Sequence, residues 1–279
     1  MNRWLPLVLF AGCAHSPPVP AGPPFTAHVT GAGRAVVLIP DLGMAPEAWD
    51  TTVAHLSARY QVHVLEVAGF AGAPAVAGPL MPQLRDALAR YLTEQKLEGA
   101  VLVGVLFGAT VAYWVAGTAP QLVGGVVAID TPVSRFNGTI DPEAEEGRDA
   151  LLHASPERLE KMQRRRYAQL MTDQVRAGLL AGKAARSSPP VLADAFYDSL
   201  TRDLRSNITR IRAPVLSLLT TENFPKESWD EIEAIFRAEL GPIPRHELVV
   251  VPGAHHYVMF DAPEVYFGQL DRFLASLHR

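Results

Sequence analysis

Cysteine is almost missing from this chain: one residue, Cys13, stands among 279, so no internal disulfide framework can brace the fold. Clustered cations are missing too. With 25 Lys and Arg against 29 Asp and Glu, the net charge is -4, and the signs are mixed along the chain. That excludes a surface built to neutralise nucleic-acid phosphates, so no nucleic-acid partner is expected. No internal repeat is present, and the composition carries no mark of disorder, because 48% of the positions are hydrophobic. A chain of this length buries one large core, and a single domain with an inserted subdomain fits as well as two small domains. The easier partner is a small apolar or weakly polar molecule.

The position of the lone cysteine gives it meaning. Before it, Arg3 supplies a positive start and Trp4 to Ala11 an apolar stretch too short to span a bilayer, the pattern of an export signal. After it, "AHSPPVPAGPP" is a proline-rich tether that favours an extended shape. The segment resembles a bacterial lipoprotein signal cut after "FAG", with Cys13 lipidated, although Phe10 stands where that pattern prefers Leu. The resemblance implies a signal peptide over 1–12, a tether over 13–24 and a domain over 25–279. Ala14 after the cysteine implies the outer membrane, facing the periplasm or the cell surface. Membrane attachment would then run through a lipid anchor and not a transmembrane helix. A plain secretory signal with an unmodified Cys13 is the alternative.

From Phe25 onward, apolar runs of strand length alternate with amphipathic stretches of helix length, which predicts an α/β fold with a mostly parallel sheet. The predicted strands are 35–39, 62–67, 100–104, 126–129, 214–219 and 247–251, each a near-continuous apolar run of the kind buried on both faces. Leu84, Leu88, Tyr91 and Leu92 share one face of a covering helix. Val265, Phe267, Leu270, Phe273, Leu274 and Leu277 share another, after Pro263 at its start. Between about 131 and 207 no strand is expected, while two amphipathic stretches open on Ser-Pro at Ser155 and Ser-Pro-Pro at Ser188. This predicts an inserted helical cap. Arg164, Arg165 and Arg166 point in three directions on a helix and read as a solvated face. A glycosylation-like triplet at Asn137 carries no weight.

Four segments in order resemble the α/β-hydrolase family. "VVLIPDLGMAPEAWD" is similar to its first central strand and oxyanion loop, and "GVLFG" (104–108) to its nucleophile elbow G-x-S-x-G. "APVLSLLTTENFP" is similar to the late strand and acid turn, and "VPGAHHYVMFDAPEVYFGQLDRFL" to the last strand, histidine loop and final helix. In that family a serine attacks, a histidine takes its proton, a buried carboxylate orients the histidine, and two backbone donors hold the oxyanion. Each donor is worth roughly 2.7 to 4 kcal/mol.

The resemblance assigns these roles unevenly. His256 is in register with the base, and His255 beside it is expected to be incidental; neighbours in an extended loop point apart, so no metal pair is expected, and no cofactor. The acid is open between Asp130, after the strand that follows the elbow, and the late position, held here by Asn223 with Glu222 beside it. The nucleophile position holds Leu106, which has no acid-base chemistry; its turn has either relaxed or kept its strain. Pro40-Asp41 replaces the usual loop start, so a carboxylate opposes the developing oxyanion unless Asp41 turns away, while the backbones of Leu42 and Phe107 can still form the hole. Three functions remain open. The leading one is a non-catalytic binder or scaffold. The others are an enzyme that uses a His256/Asp130 general base without serine, and a hydrolase of small esters or amides with a displaced nucleophile.

Overall fold

The computed structural model describes residues 22–133 and 142–277, so the expected signal, Cys13, most of the tether and Asn137 lie outside the described residues. In chain order the elements are β1 (Phe25–Thr30), β2 (Ala35–Ile39), α1 (Asp50–Leu56), β3 (Gln61–Val67), α2 (Leu80–Glu94), β4 (Ala100–Val105), α3 (Phe107–Thr118) and β5 (Val123–Ile129). Then follow α4 (Pro142–Leu152), α5 (Pro156–Leu170), α6 (Gln174–Ala184), α7 (Pro189–Thr201) and α8 (Arg205–Ile208). The chain closes with β6 (Val215–Thr220), α9 (Trp229–Leu240), β7 (His246–Val251), α10 (Val258–Asp261) and α11 (Pro263–Ser276).

The strands form one sheet in the order β1-β3-β2-β4-β5-β6-β7. All six predicted strands are there, with bounds moved by at most three residues. The first strand, β1, was not anticipated: it pairs antiparallel with β3 at the sheet edge, and of its six residues only Phe25 is buried. The other pairings are parallel. Side chains alternate across the strands and so build two cores. Val37, Ile39, Leu102, Val126 and Ala128 face α2 and α3. Val36, Leu38, Val103, Val127, Leu216 and Leu218 face α11 and the Trp49 side.

Local chemistry explains the covering helices. In α2, Leu80, Leu84, Leu88 and Leu92 recur at every fourth position and are buried, each fully buried leucine contributing roughly 1.5–3 kcal/mol. In α11, Pro263 occupies the first turn and Tyr266, Leu270, Phe273 and Leu274 pack on the sheet. The insert is helical, as α4 to α8. One predicted helical stretch is split in two, because Met171 is extended and the Asp173 side chain accepts from the Val175 and Arg176 N–H groups, capping α6. The elements bring the C-terminal ends of β4, β5 and β6 together beneath this cap, where open α/β sheets form their sites.

Candidate functional site

The junction between β4 and α3 keeps the strained elbow. Leu106 sits at φ 46° and ψ −110°, a conformation that costs a non-glycine residue roughly 1–3 kcal/mol. Its neighbours hold it there. A Cβ on Gly104 would lie 2.3 Å from the Gly108 carbonyl carbon, and one on Gly108 would lie 2.3 Å from the Ile39 oxygen, so only glycine lets these segments approach. The Leu106 N–H donates to the Ile129 carbonyl at 3.0 Å, and its own carbonyl accepts from Ala109 at 3.0 Å and Thr110 at 3.1 Å. The turn has not relaxed, and its apex presents hydrocarbon.

The candidate base and one of the two candidate acids meet. His256, in the loop after β7, hydrogen-bonds through Nδ1 to Oδ2 of Asp130, at the end of β5. Asp130 is nearly fully buried, sits at φ 52°, and accepts the Thr220 N–H at 2.9 Å and the Thr220 hydroxyl. With Nδ1–H committed to the carboxylate, the neutral ring leaves Nε2 as an acceptor, and His256 lines the cavity described below. The Asn223 amide bonds to backbone groups and not to the imidazole nitrogens. With its amide oriented to satisfy both ends, it donates to the Gln169 carbonyl at 2.9 Å and accepts the His256 backbone N–H at 3.1 Å, fastening the histidine loop to the cap.

Asp41 does not turn away; its side chain points inward. Its Oδ1 accepts the Leu42 N–H at 2.6 Å and the Phe107 N–H at 3.4 Å, the two donors that would form the oxyanion hole. Its Oδ2 accepts the Tyr257 hydroxyl at 3.0 Å and pairs with Arg166 of α5. A carboxylate of the chain itself therefore fills the hole. The surroundings respond to it: burial and the Asp41 carboxylate push the Tyr257 hydroxyl well above its usual range, and burial raises Tyr167 to about 12. Burial, the largest influence, would lower Arg166, but Asp41, Tyr257 and Tyr167 together outweigh it and hold the guanidinium charged above its usual range. Arg166 also donates to the Leu42 carbonyl at 3.0 Å. The basic run is thus not wholly a solvated face.

His255 also has a partner. Its Nδ1 lies 2.7 Å from Asp261 and its N–H donates to the same carboxylate at 3.0 Å. The Thr172 N–H and hydroxyl add bonds at 2.8 and 3.0 Å, tying the turn between α5 and α6 to the histidine loop. Burial opposes ionisation of Asp261, yet these four bonds hold its pKa below the ordinary carboxylate value. Sequence reasoning missed Thr220, Tyr257 and Arg166. Only Tyr257 carried a local signal, its place next to His256.

These groups surround a cavity of about 970 Å³. Its lining combines polar groups, among them Asp41, Arg166, Asn223 and the two histidines, with apolar ones such as Phe196, Leu200, Phe224, Ile232 and Phe236. Two hydroxyls on its wall are already engaged, Thr110 with the Leu106 carbonyl at 3.4 Å and Ser199 with the Phe196 carbonyl at 2.8 Å. Among the described residues no group of three or more His, Cys, Asp or Glu is placed to hold a metal ion.

Comparison with known proteins agrees with this fold. Residues 36–269 match the profile of the alpha/beta hydrolase family. A pimeloyl-[acyl-carrier protein] methyl ester esterase from Edwardsiella ictaluri is 25% identical over 262 residues, spanning 88% of this chain and 95% of the relative. Among solved structures, a thermophilic esterase from Thermogutta terrifontis superposes with a TM-score of 0.77 at 22% identity, over 91% of this chain and 94% of that one. An enol-lactonase from Burkholderia xenovorans does so with a TM-score of 0.73 at 17% identity, over 90% and 96%.

Proposed function

The chain belongs to the alpha/beta hydrolase family, and on that premise we propose that it binds a small amphipathic molecule beneath its cap without serine-dependent hydrolysis. The observation that carries this reading is the Asp41 carboxylate in the oxyanion hole. Donors that would stabilise a developing negative charge already hold one, and a second anion placed there would be repelled. Leu106 removes the attacking atom as well. The ligand chemistry follows from the walls. An apolar body packs against Phe196, Phe224 and Phe236, and an O–H or N–H of the same ligand donates to Nε2 of His256.

Hydrolysis of p-nitrophenyl butyrate separates the contributions. The native chain is expected to be silent, Leu106→Ser alone to stay nearly so because the hole is filled, and Leu106→Ser with Asp41→Gly to turn over. Turnover by the native chain overturns the reading.

One observation favours a second reading, a general base without serine. Asp130 is kept at φ 52° and locked by Thr220 against His256, an arrangement a passive scaffold does not require. In that case His256→Ala abolishes turnover of the true substrate and leaves its binding intact, whereas a binder shows no turnover to lose. A displaced nucleophile has less support, since the Thr110 and Ser199 hydroxyls are turned to carbonyls.

Export also belongs to this proposal, with a signal over 1–12, lipidation of Cys13, a tether over 13–24 and residence in the outer membrane. No helix among the described residues is long and apolar enough to cross a membrane. The intact mass of membrane-extracted protein is expected to exceed the polypeptide mass by the lipid, and Cys13→Ala to abolish the excess.

A further inference from the structure

We propose that the outer face of the α5–α6 hairpin docks on an anionic lipid surface, with the mouth of the cavity turned towards the bilayer. On α6, Val175, Gly178, Leu179 and Gly182 fall at i, i+3, i+4 and i+7 and form one outward stripe. Val175 is 78% and Leu179 68% exposed, the two most exposed large apolar side chains among the described residues. A Cβ built on Gly178 or Gly182 meets nothing within 4 Å, so no described part of the chain covers the stripe. The hairpin partner supplies charge. On α5, Arg158, Lys161 and Arg165 recur at i, i+3 and i+7, all exposed, and none pairs with a carboxylate among the described residues, whereas Arg164 is paired with Glu160. The two helices pack against each other. Exposed apolar side chains on one helix and unpaired cations on the helix packed against it are the surface chemistry of a hairpin that lies in a lipid headgroup layer.

The location of the stripe ties it to the cavity. Ala168 and Gln169, exposed at the end of α5, line the cavity, and Val175 opens the stripe in the first turn of the next helix. Docking there lets an amphipathic ligand pass between bilayer and cavity without crossing water. A second copy of the chain is the poorer occupant. Two side chains and two glycines fall far below the roughly 1,000 Å² that a stable interface needs, and a two-fold pairing would bring equal rows of cations near each other.

The test uses the full chain with Cys13→Ala and Leu179→Cys, the new thiol carrying an environment-sensitive fluorophore that reports only its own surroundings. Vesicles of phosphatidylethanolamine and phosphatidylglycerol are expected to shift its emission to the blue, and phosphatidylcholine vesicles to shift it far less. Changing Arg158, Lys161 and Arg165 to Gln should raise the lipid concentration at half-effect roughly 100-fold. All three side chains are exposed, so circular dichroism should be unchanged. Absence of a shift with anionic vesicles overturns the proposal, as does an unchanged response in the triple variant. A shift that follows protein concentration without lipid overturns it in favour of a second copy. None of these readouts depends on what the cavity binds or whether it catalyses.

Discussion

Arg164, Arg165 and Arg166 follow one another on α5, and each is rotated by about 100° from the last, so three identical side chains meet three environments. Arg164 meets Glu160, Arg165 meets solvent, and Arg166 meets Asp41 under the cap. Removing one partner of a buried ion pair costs roughly 3–5 kcal/mol, and less here because the Arg166 side chain is 30% exposed. Arg166→Gln is therefore expected to lower unfolding free energy in urea by about 2–3 kcal/mol, and Arg165→Gln by less than about 0.5 kcal/mol. Equal effects would remove Arg166 from the oxyanion-loop network. The same rotation explains why this contact could not be read from the sequence: the run names the charges, and only the tertiary position of α5 selects the inward one. Asp41 is a similar case. Its substitution was visible, but the direction of its side chain depends on Arg166 and Tyr257, which come from two distant segments. His256 was named through its register with the histidine loop of the family the chain resembles, and Asp130 was one of two acid positions that the same resemblance left open.

Elements were legible where burial on both faces left an unbroken apolar run. β2, β4 and β6 are fully buried and stood out; β1 alternates at an edge and did not. The break between α5 and α6 was hidden because amphipathic periodicity continues across it, and Asp261 in α10, 89 residues further on from Thr172, fastens the turn from a distance. That clasp has a pH signature. Asp261 is held below its unfolded value of about 3.9, so its stabilisation is fully present above that pH and is lost as pH falls through the lower folded value. Acid titration of thermal stability should therefore show native protein exceeding Asp261→Asn near neutrality, with the gap closing below about pH 4. A gap independent of pH would mean that the clasp does not rely on the ionised carboxylate.

At the scale of the whole molecule, the family fold persists, and on the proposed reading its centre serves stability in place of hydrolysis. An open oxyanion hole leaves two backbone donors waiting for a transition state, and an unpaired donor away from water is costly. Asp41 satisfies both donors, anchors Arg166 of the cap and engages Tyr257 of the histidine loop, so one carboxylate joins three parts of the molecule. Catalysis and stability should then trade against each other through that residue. The Leu106→Ser, Asp41→Gly chain is expected to gain ester hydrolysis and to lose about 3 kcal/mol, because Arg166 and the donors lose their partner together. For a chain of this size that corresponds to a fall in Tm of roughly 6–12 °C. Leu106→Ser alone leaves the network whole and should melt within a few degrees of the native chain, so calorimetry on the three proteins isolates the Asp41 contribution. A double variant that gains activity with no loss of Tm would mean that water replaces the carboxylate without penalty, and that the filled hole is not what holds cap, oxyanion loop and histidine loop together.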